Sequence, residues 1–278
     1  MHAKTIVITG ATSGIGEVAA VRLAEQGARI VFTARDKVRA AATMEKLRRA
    51  NGAVEHVAHL ADLSLLAEMK RVAAEITEEP KIDVLINNAG AVFGARQETR
   101  DGLEQTFALN HMSYFVITNL LLPKLKSGAR IVSTASGAHR RAVLDFGDLQ
   151  SRKNYSGFQV YSRSKLCNIL FTRELANRIV GSGVAANCLH PGFVATRFGD
   201  QSGGLLAIGV WAAKRLTAIS QEEGAKTIIH LASSPDAANV SGEYFYQCKV
   251  DTPSVAARSA ADAKRLWDIS AEISGVAQ

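Results

Sequence analysis

The chain has 278 residues, 47% apolar and 21% charged, with a formal charge of +7. That composition supplies both a core and a surface and excludes a disordered or collagen-like chain. The excess positive charge is spread along helical patterns such as RDKVRAAATMEKLRR, without the aromatic and basic clusters that nucleic-acid binding needs.

Taken in chain order, short β-branched runs alternate with longer helical patterns. KTIVIT, ARIVFTA, VEHVAH, IDVLINN, ARIVSTAS and GVAANCLH are predicted strands, apolar and rich in Val and Ile. Segments 14–27, 37–50, 64–79, 101–126 and 157–181 carry apolar residues at helical period. This alternation predicts βαβ units and a Rossmann-like, doubly wound parallel α/β sheet with helices on both faces. No linker or repeat interrupts it, so residues 1–278 are predicted to form a single domain. Residues 137–156 are a polar insertion, and residues 196–220 stand where such a fold places a small lid.

Cys167, Cys188 and Cys248 have no metal or redox spacing and predict reduced thiols in an intracellular protein. His56 and His59 lie on an apparent strand, and His139 and His190 have no ligand partners in sequence, so no metal site is expected. The first strand begins almost at once, leaving no room for a signal peptide, and the longest apolar run, LLAIGVWAA, is too short to cross a bilayer. A cytoplasmic chain without an integral membrane segment is the expectation.

TGATSGIG follows the first strand and opens a helix. Gly10 permits the tight turn, Gly14 admits a pyrophosphate to the backbone, and Gly16 allows close helix–sheet packing. Thr12, Ser13 and Ile15 complete the cradle, and the helix N-terminus offers N–H groups to the phosphates. An acid ending the second strand would select NAD, and an arginine NADP. RIVFTARD has Ala34 where that acid is expected, then Arg35, then Asp36, which could play the NAD role two residues late. Arg35 beside the small Ala34 favours NADP(H) over NAD(H).

TGATSGIG, NNAG at 87–90, YSRSK at 161–165 and HPGFVAT at 190–196 together resemble the classical short-chain dehydrogenase/reductase family, in that family's order and over essentially the whole chain. GLEQTFALNHMSYFVITNLLLP, YSRSKLCNILFTRELA and GEYFYQCKV resemble its retinol-dehydrogenase-like branch, and the N-terminal anchor of that branch's membrane-bound members is not expected here. The resemblance implies roles. Tyr161 matches the proton donor and acceptor, Lys165 its activator, and Ser136, in preference to Thr134, the serine that bonds the substrate oxygen. Asn110 matches the asparagine of a water relay. Asn87, Asn88, Ala89 and Gly90 would line the adenosine side, with Asp62 and Leu63 at the adenine. Pro191, Gly192, Val194 and Thr196 would sit by the nicotinamide. Helices 101–126 and 157–181 pair between subunits in similar proteins, which implies a homo-oligomer.

The chemistry explains the spacing of Tyr161 and Lys165, which a helix places on one face. A free tyrosine has a pKa of about 10, and a working acid/base needs one near the operating pH. One ammonium about 4 Å away supplies on the order of 4 kcal/mol at an effective dielectric of 20, enough for about three pKa units. Each residue alone has a plainer reading: Tyr161 as packing, Tyr161 with Lys165 as a surface pair, Ser136 as a strand end, Asn110 as a helix polar residue. Their joint presence after a dinucleotide cradle favours an oxidoreductase for a small hydrophobic carbonyl or alcohol. The alternatives are a catalytically silent dinucleotide sensor on the same fold, an acyl-chain ketoreductase and a macrocyclic-pigment reductase. Leu205, Leu206, Ile208, Val210 and Trp211 make the lid apolar, as a substrate cover, core packing or a dimer contact would each require.

Overall fold

The computed structural model describes residues 1–193 and 219–276. Its central strands are runs whose side chains are apolar on both faces, as a sheet covered on both sides requires. β1 (Thr5–Thr9) is buried along its whole length, β2 (Arg29–Ala34) all but its first residue, and β4 (Ile82–Asn87) nearly so. With β3 (Val57–Leu60), β5 (Leu125–Thr134), β6 (Ala185–Leu189), β7 (Tyr244–Tyr246) and β8 (Lys249–Val250) they form one sheet. Its order is β3-β2-β1-β4-β5-β6-β7-β8, parallel except for the antiparallel β7–β8 pair. The chain winds outward from β1 through β2 to β3, then restarts at β4 on the other side of β1. That reversal opens a crevice beyond the carboxyl ends of β1 and β4, the place where such sheets bind ligands.

Helices cover both faces. α1 (Gly14–Glu25), α2 (Lys37–Ala50) and α7 (Gln221–Ser233) enclose one core with Ile6, Ile8, Leu23, Phe32, Leu47 and Ile228. α3 (Leu66–Ile76), α5 (Ser113–Leu121), α6 (Gly157–Arg178) and α8 (Ala260–Ser274) enclose the other. There Phe171 stacks on Trp267 with centroids 5.8 Å apart, and Phe115 meets Trp267 edge-on at 4.9 Å. Such pairs add about 0.5–1.5 kcal/mol each beyond their burial and fasten the C-terminal helix to the centre of the molecule. α8 has conventional ends: the Ser259 hydroxyl accepts the Asp262 N–H at 3.2 Å, and Gly275 closes the helix in the left-handed conformation.

Four boundaries differ from the sequence expectations. VEHVAH pairs only from Val57 onward, because the His56 imidazole itself accepts the Ile30 N–H at 3.1 Å. His56 therefore precedes the strand it was expected to lie on. The helix expected over 101–126 begins only after Glu104, whose carboxylate caps the Thr106 and Phe107 N–H groups at 2.8 and 2.7 Å. It then runs as α4 (Gln105–Phe107), a π turn (Ala108–Met112) and α5, and ends in a short 3-10 turn at Pro123, so Leu125 and Lys126 belong to β5. The insertion at 137–156 is less polar in place than in composition, since His139, Ala142 and Ser151 are buried. Finally, α7, β7, β8 and α8 extend the regular architecture beyond the predicted alternation. The predicted lid at 196–220, with Leu205, Leu206, Ile208, Val210 and Trp211, lies outside the described residues except for Ile219 and Ser220.

Candidate active site

The first βα turn is built by close backbone approach. Gly10 has φ +70°, and a Cβ there would stand 2.7 Å from the Ala89 Cα. A Cβ on Gly16 would stand 2.3 Å from both the Gly10 carbonyl oxygen and the Asn88 Nδ2. Thr9 stitches the two sides, its hydroxyl accepting the Asn88 and Ala89 N–H groups at 3.0 and 3.1 Å. Asn88 returns a bond from its Nδ2 to the Gly10 carbonyl at 3.0 Å. The first N–H groups of a helix lack intrahelical partners, and the Ser13 hydroxyl caps none of them, so they remain for an anion beside exposed Ser13 and half-exposed Thr12, Gly14 and Ile15. This cradle fits a dinucleotide pyrophosphate.

Along the same edge of the sheet, Arg35 is exposed and makes no hydrogen bond or ion pair among the described residues. Asp36 is committed locally: its carboxylate caps α2 by accepting the Arg39 N–H at 2.8 Å. After β3, Asp62 Oδ1 accepts the Ser64 N–H at 3.0 Å and the Ser64 hydroxyl at 2.7 Å, and Leu63 is buried. Of the NNAG residues, Asn87 is fully buried and turned to the Thr118 hydroxyl at 2.8 Å, away from the crevice. Asn88, Ala89 and Gly90 stand at the end of β4, Gly90 exposed.

Behind Gly90 lie two buried polar side chains. A Cβ on Gly90 would be 3.2 Å from Asn110 Oδ1 and 3.4 Å from Lys165 Nζ. Asn110 sits in the π turn, which adds one residue to the helical path and so rotates the following face by about 100°. It brackets Ala91, accepting the Ala91 N–H and donating to the Ala91 carbonyl, both at 2.9 Å, and its Nδ2 also reaches the Ser164 hydroxyl at 3.0 Å. Lys165, 3% exposed, donates to the Thr134 carbonyl at 2.9 Å and lies 5.8 Å from the Tyr161 ring centroid. Asn168 and Tyr114 approach the same carbonyl at 3.3 and 3.4 Å. Ser136, two residues after β5, stands near enough to the Tyr161 phenol to lower its pKa. Beyond β6, Pro191 and Gly192 form a turn in which the Gly192 N–H donates to His190 Nδ1 at 3.2 Å. Val194 and Thr196 lie outside the described residues.

Burial pushes the Tyr161 phenol up to about 12, only partly opposed by the Ser136 hydrogen bond. Burial also pulls Lys165 down to about 7. The Lys165 amine donates to the Thr134 carbonyl and lies 5.8 Å from the Tyr161 ring centroid, so a charge on it would favour the phenolate. Thr9, Tyr114 and Asn168 were absent from the sequence reading, and Thr134 was set aside there in favour of Ser136. Thr134 holds the amine through its backbone carbonyl, which no side-chain pattern could reveal, while its hydroxyl donates to Asn88 Oδ1 at 3.4 Å. Among the described residues no group of three or more His, Cys, Asp or Glu could hold a metal, and no helix is long and apolar enough to cross a membrane.

A glycine cradle at the switch point of a doubly wound sheet, with a buried Tyr–Lys–Ser–Asn group beside it, defines an oxidoreductase of the nicotinamide-dependent class. Residues 4–204 match the short chain dehydrogenase family, and the chain belongs to it. It is an enzyme that moves hydride between CH–OH and C=O with NAD(P). It is 40% identical to retinol dehydrogenase 14 of Homo sapiens, covering 99% of this chain and 88% of that one. An uncharacterized protein from Mycobacterium paratuberculosis superposes with a TM-score of 0.81 at 30% identity, covering 99% and 94% of the two chains. The Pseudomonas aeruginosa RhlG/NADP active-site complex does so with a TM-score of 0.70 at 28% identity, covering 88% and 94%.

Proposed function

We propose that this chain is an NADP(H)-dependent oxidoreductase interconverting a hydrophobic alcohol and its aldehyde or ketone, with Tyr161, Ser136, Lys165 and Asn110 as its working groups. The observation that carries the reading is the grouping of Asn110 and Lys165 behind Gly90, beside a buried Tyr161 whose phenol the Ser136 side chain is near enough to influence. Two hydroxyls side by side can share one substrate oxygen. In reduction Tyr161 donates its proton to that oxygen while Ser136 steadies the developing charge, and oxidation reverses both roles. The cofactor supplies hydride transfer and, when oxidised, a positive ring that favours the phenolate. Asn110 holds the 90–91 backbone against Ser164, and Lys165 holds the Thr134 carbonyl next to the serine turn.

Two features support NADP(H). Asp36, the acid that could have read a ribose hydroxyl, is occupied as a helix cap, while Arg35 is exposed and unengaged among the described residues. The P. aeruginosa relative carries NADP in its described complex. The apolar substrate class rests on the retinol dehydrogenase relatives and on the apolar composition of 205–213. The test is NADPH consumption against a panel of apolar aldehydes and ketones, retinaldehyde included. Turnover is expected with NADPH well above NADH. Cofactor binding with no turnover on any member would replace this reading with that of a sensor.

A further inference from the structure

The 3-10 turn Gly137–Arg141 follows Ser136, and His139 at its centre is completely buried. Its Nδ1 lies 2.7 Å from the Ser136 carbonyl oxygen, and its Nε2 lies 3.1 Å from the backbone nitrogen of Ser254. Neither partner is ambiguous, since a carbonyl only accepts and a backbone N–H only donates. The proton therefore sits on Nδ1 and the lone pair on Nε2, in a neutral ring with both nitrogens engaged. The Ser136 carbonyl also accepts the His139 backbone N–H at 3.2 Å. The Ser136 hydroxyl oxygen accepts the Ala138 N–H at 3.2 Å. With one lone pair so occupied, the hydroxyl keeps its proton and one further lone pair for partners on the Tyr161 side.

A second tie runs in parallel. Arg140 donates to Asp251 at 2.8 Å and to the Thr252 carbonyl at 3.0 Å. The segment 251–254, far away in sequence, is thus fastened at two points to the turn that carries Ser136.

We infer that His139 is a positioning residue: a two-ended clasp that holds the Ser136 turn through Nδ1, is held in that tautomer by the Ser254 N–H, and so ties the aim of the serine hydroxyl to segment 251–254. The inference rests on the hydride-transfer reading, because the aim of Ser136 matters only to that chemistry. The groups facing the ring are Arg140 and Asp251, with Tyr244 edge-on at 5.1 Å and His190 stacked on Tyr244 behind it. Burial, then Arg140, disfavours the imidazolium, while the Ser136 carbonyl and Asp251 favour it; the balance lies below the usual 6.5. The clasp therefore holds at neutral pH, and protonation would break its Ser254 end, since an imidazolium cannot accept.

The test compares H139A, H139N and H139Q by kcat and KM with NADPH and a turned-over carbonyl. The asparagine amide N–H falls near the Nδ1 position and keeps the Ser136 end, whereas glutamine reaches the Nε2 position and keeps only the Ser254 end. H139A is expected to lose on the order of tenfold in kcat, as small misplacements near the reacting groups do, with KM for NADPH within about twofold. H139N should recover most of that loss and H139Q little. Full activity in H139A, or equal rescue by Asn and Gln, overturns the inference. Should the variants fail to fold, 15N-histidine NMR of the unaltered chain at neutral pH decides, the Nδ1–H tautomer being expected and Nε2–H refuting the clasp. If the unaltered chain turns over no carbonyl, the functional reading fails, while the tautomer measurement still judges the clasp.

Discussion

Lys165 donates to the carbonyl of Thr134 at 2.9 Å, and this bond fixes the amine in its buried place. Burial there strips the cation of water, which is why its pKa falls to about 7. Lysine and tyrosine are both held toward their uncharged forms until the reacting partners arrive.

That depression makes folding stability depend on pH. Between about pH 7, the folded value, and 10.5, the ordinary one, the unfolded chain binds a proton that the folded chain does not. Stability therefore rises with pH across this window, and the gain is lost as pH falls back toward 7. Denaturant unfolding of the parent should show about 1 kcal/mol more stability per pH unit than Lys165→Met between pH 7.5 and 9.5. Parallel slopes in the two proteins would show the lysine to be charged in the fold.

Tyr161→Phe removes one hydroxyl from a nearly buried ring and leaves its packing intact. Turnover should drop by roughly 10²–10⁴, the usual worth of a general acid, while NADPH affinity from fluorescence titration stays within a few-fold. A variant with near-parental kcat would remove Tyr161 from the mechanism.

Arg35 offers an unengaged guanidinium beside a capped Asp36. A hydrogen bond to a charged group contributes about 1.5–3 kcal/mol, so Arg35→Ala should weaken NADPH binding by at least about tenfold. NADH, lacking the 2′-phosphate, should bind as before. Equal losses for both cofactors would mean that Arg35 supports the fold and does not read the phosphate.

Asn110→Ala strands the N–H and carbonyl of Ala91 and one bond to Ser164. Leaving buried polar groups unpaired costs about 1–3 kcal/mol, so the midpoint of chemical denaturation should fall and kcat with it. Unchanged stability would show that the π turn holds the 90–91 backbone without this side chain.

Much of this site was legible as adjacent residues. TGATSGIG and YSRSK each carry their geometry in local spacing, since a helix alone sets Tyr161 and Lys165 on one face and a βα turn alone demands Gly10. What failed were the features made by distant partners. β3 starts late because His56, not the strand backbone, takes the Ile30 N–H. The long helix expected over 101–126 breaks at a π turn whose Asn110 is pinned by Ala91 and Ser164, 54 residues away in the second case.

By itself, then, the order of residues determined the alternating architecture, the phosphate cradle and the identity of the polar side chains, because periodicity and glycine placement act over a few residues. Only the tertiary structure decided the direction of the Lys165 amine and the tie between His139 and Ser254. Each of these depends on which backbone carbonyl or N–H arrives beside a side chain. That is settled when the sheet closes and the buried groups must find partners.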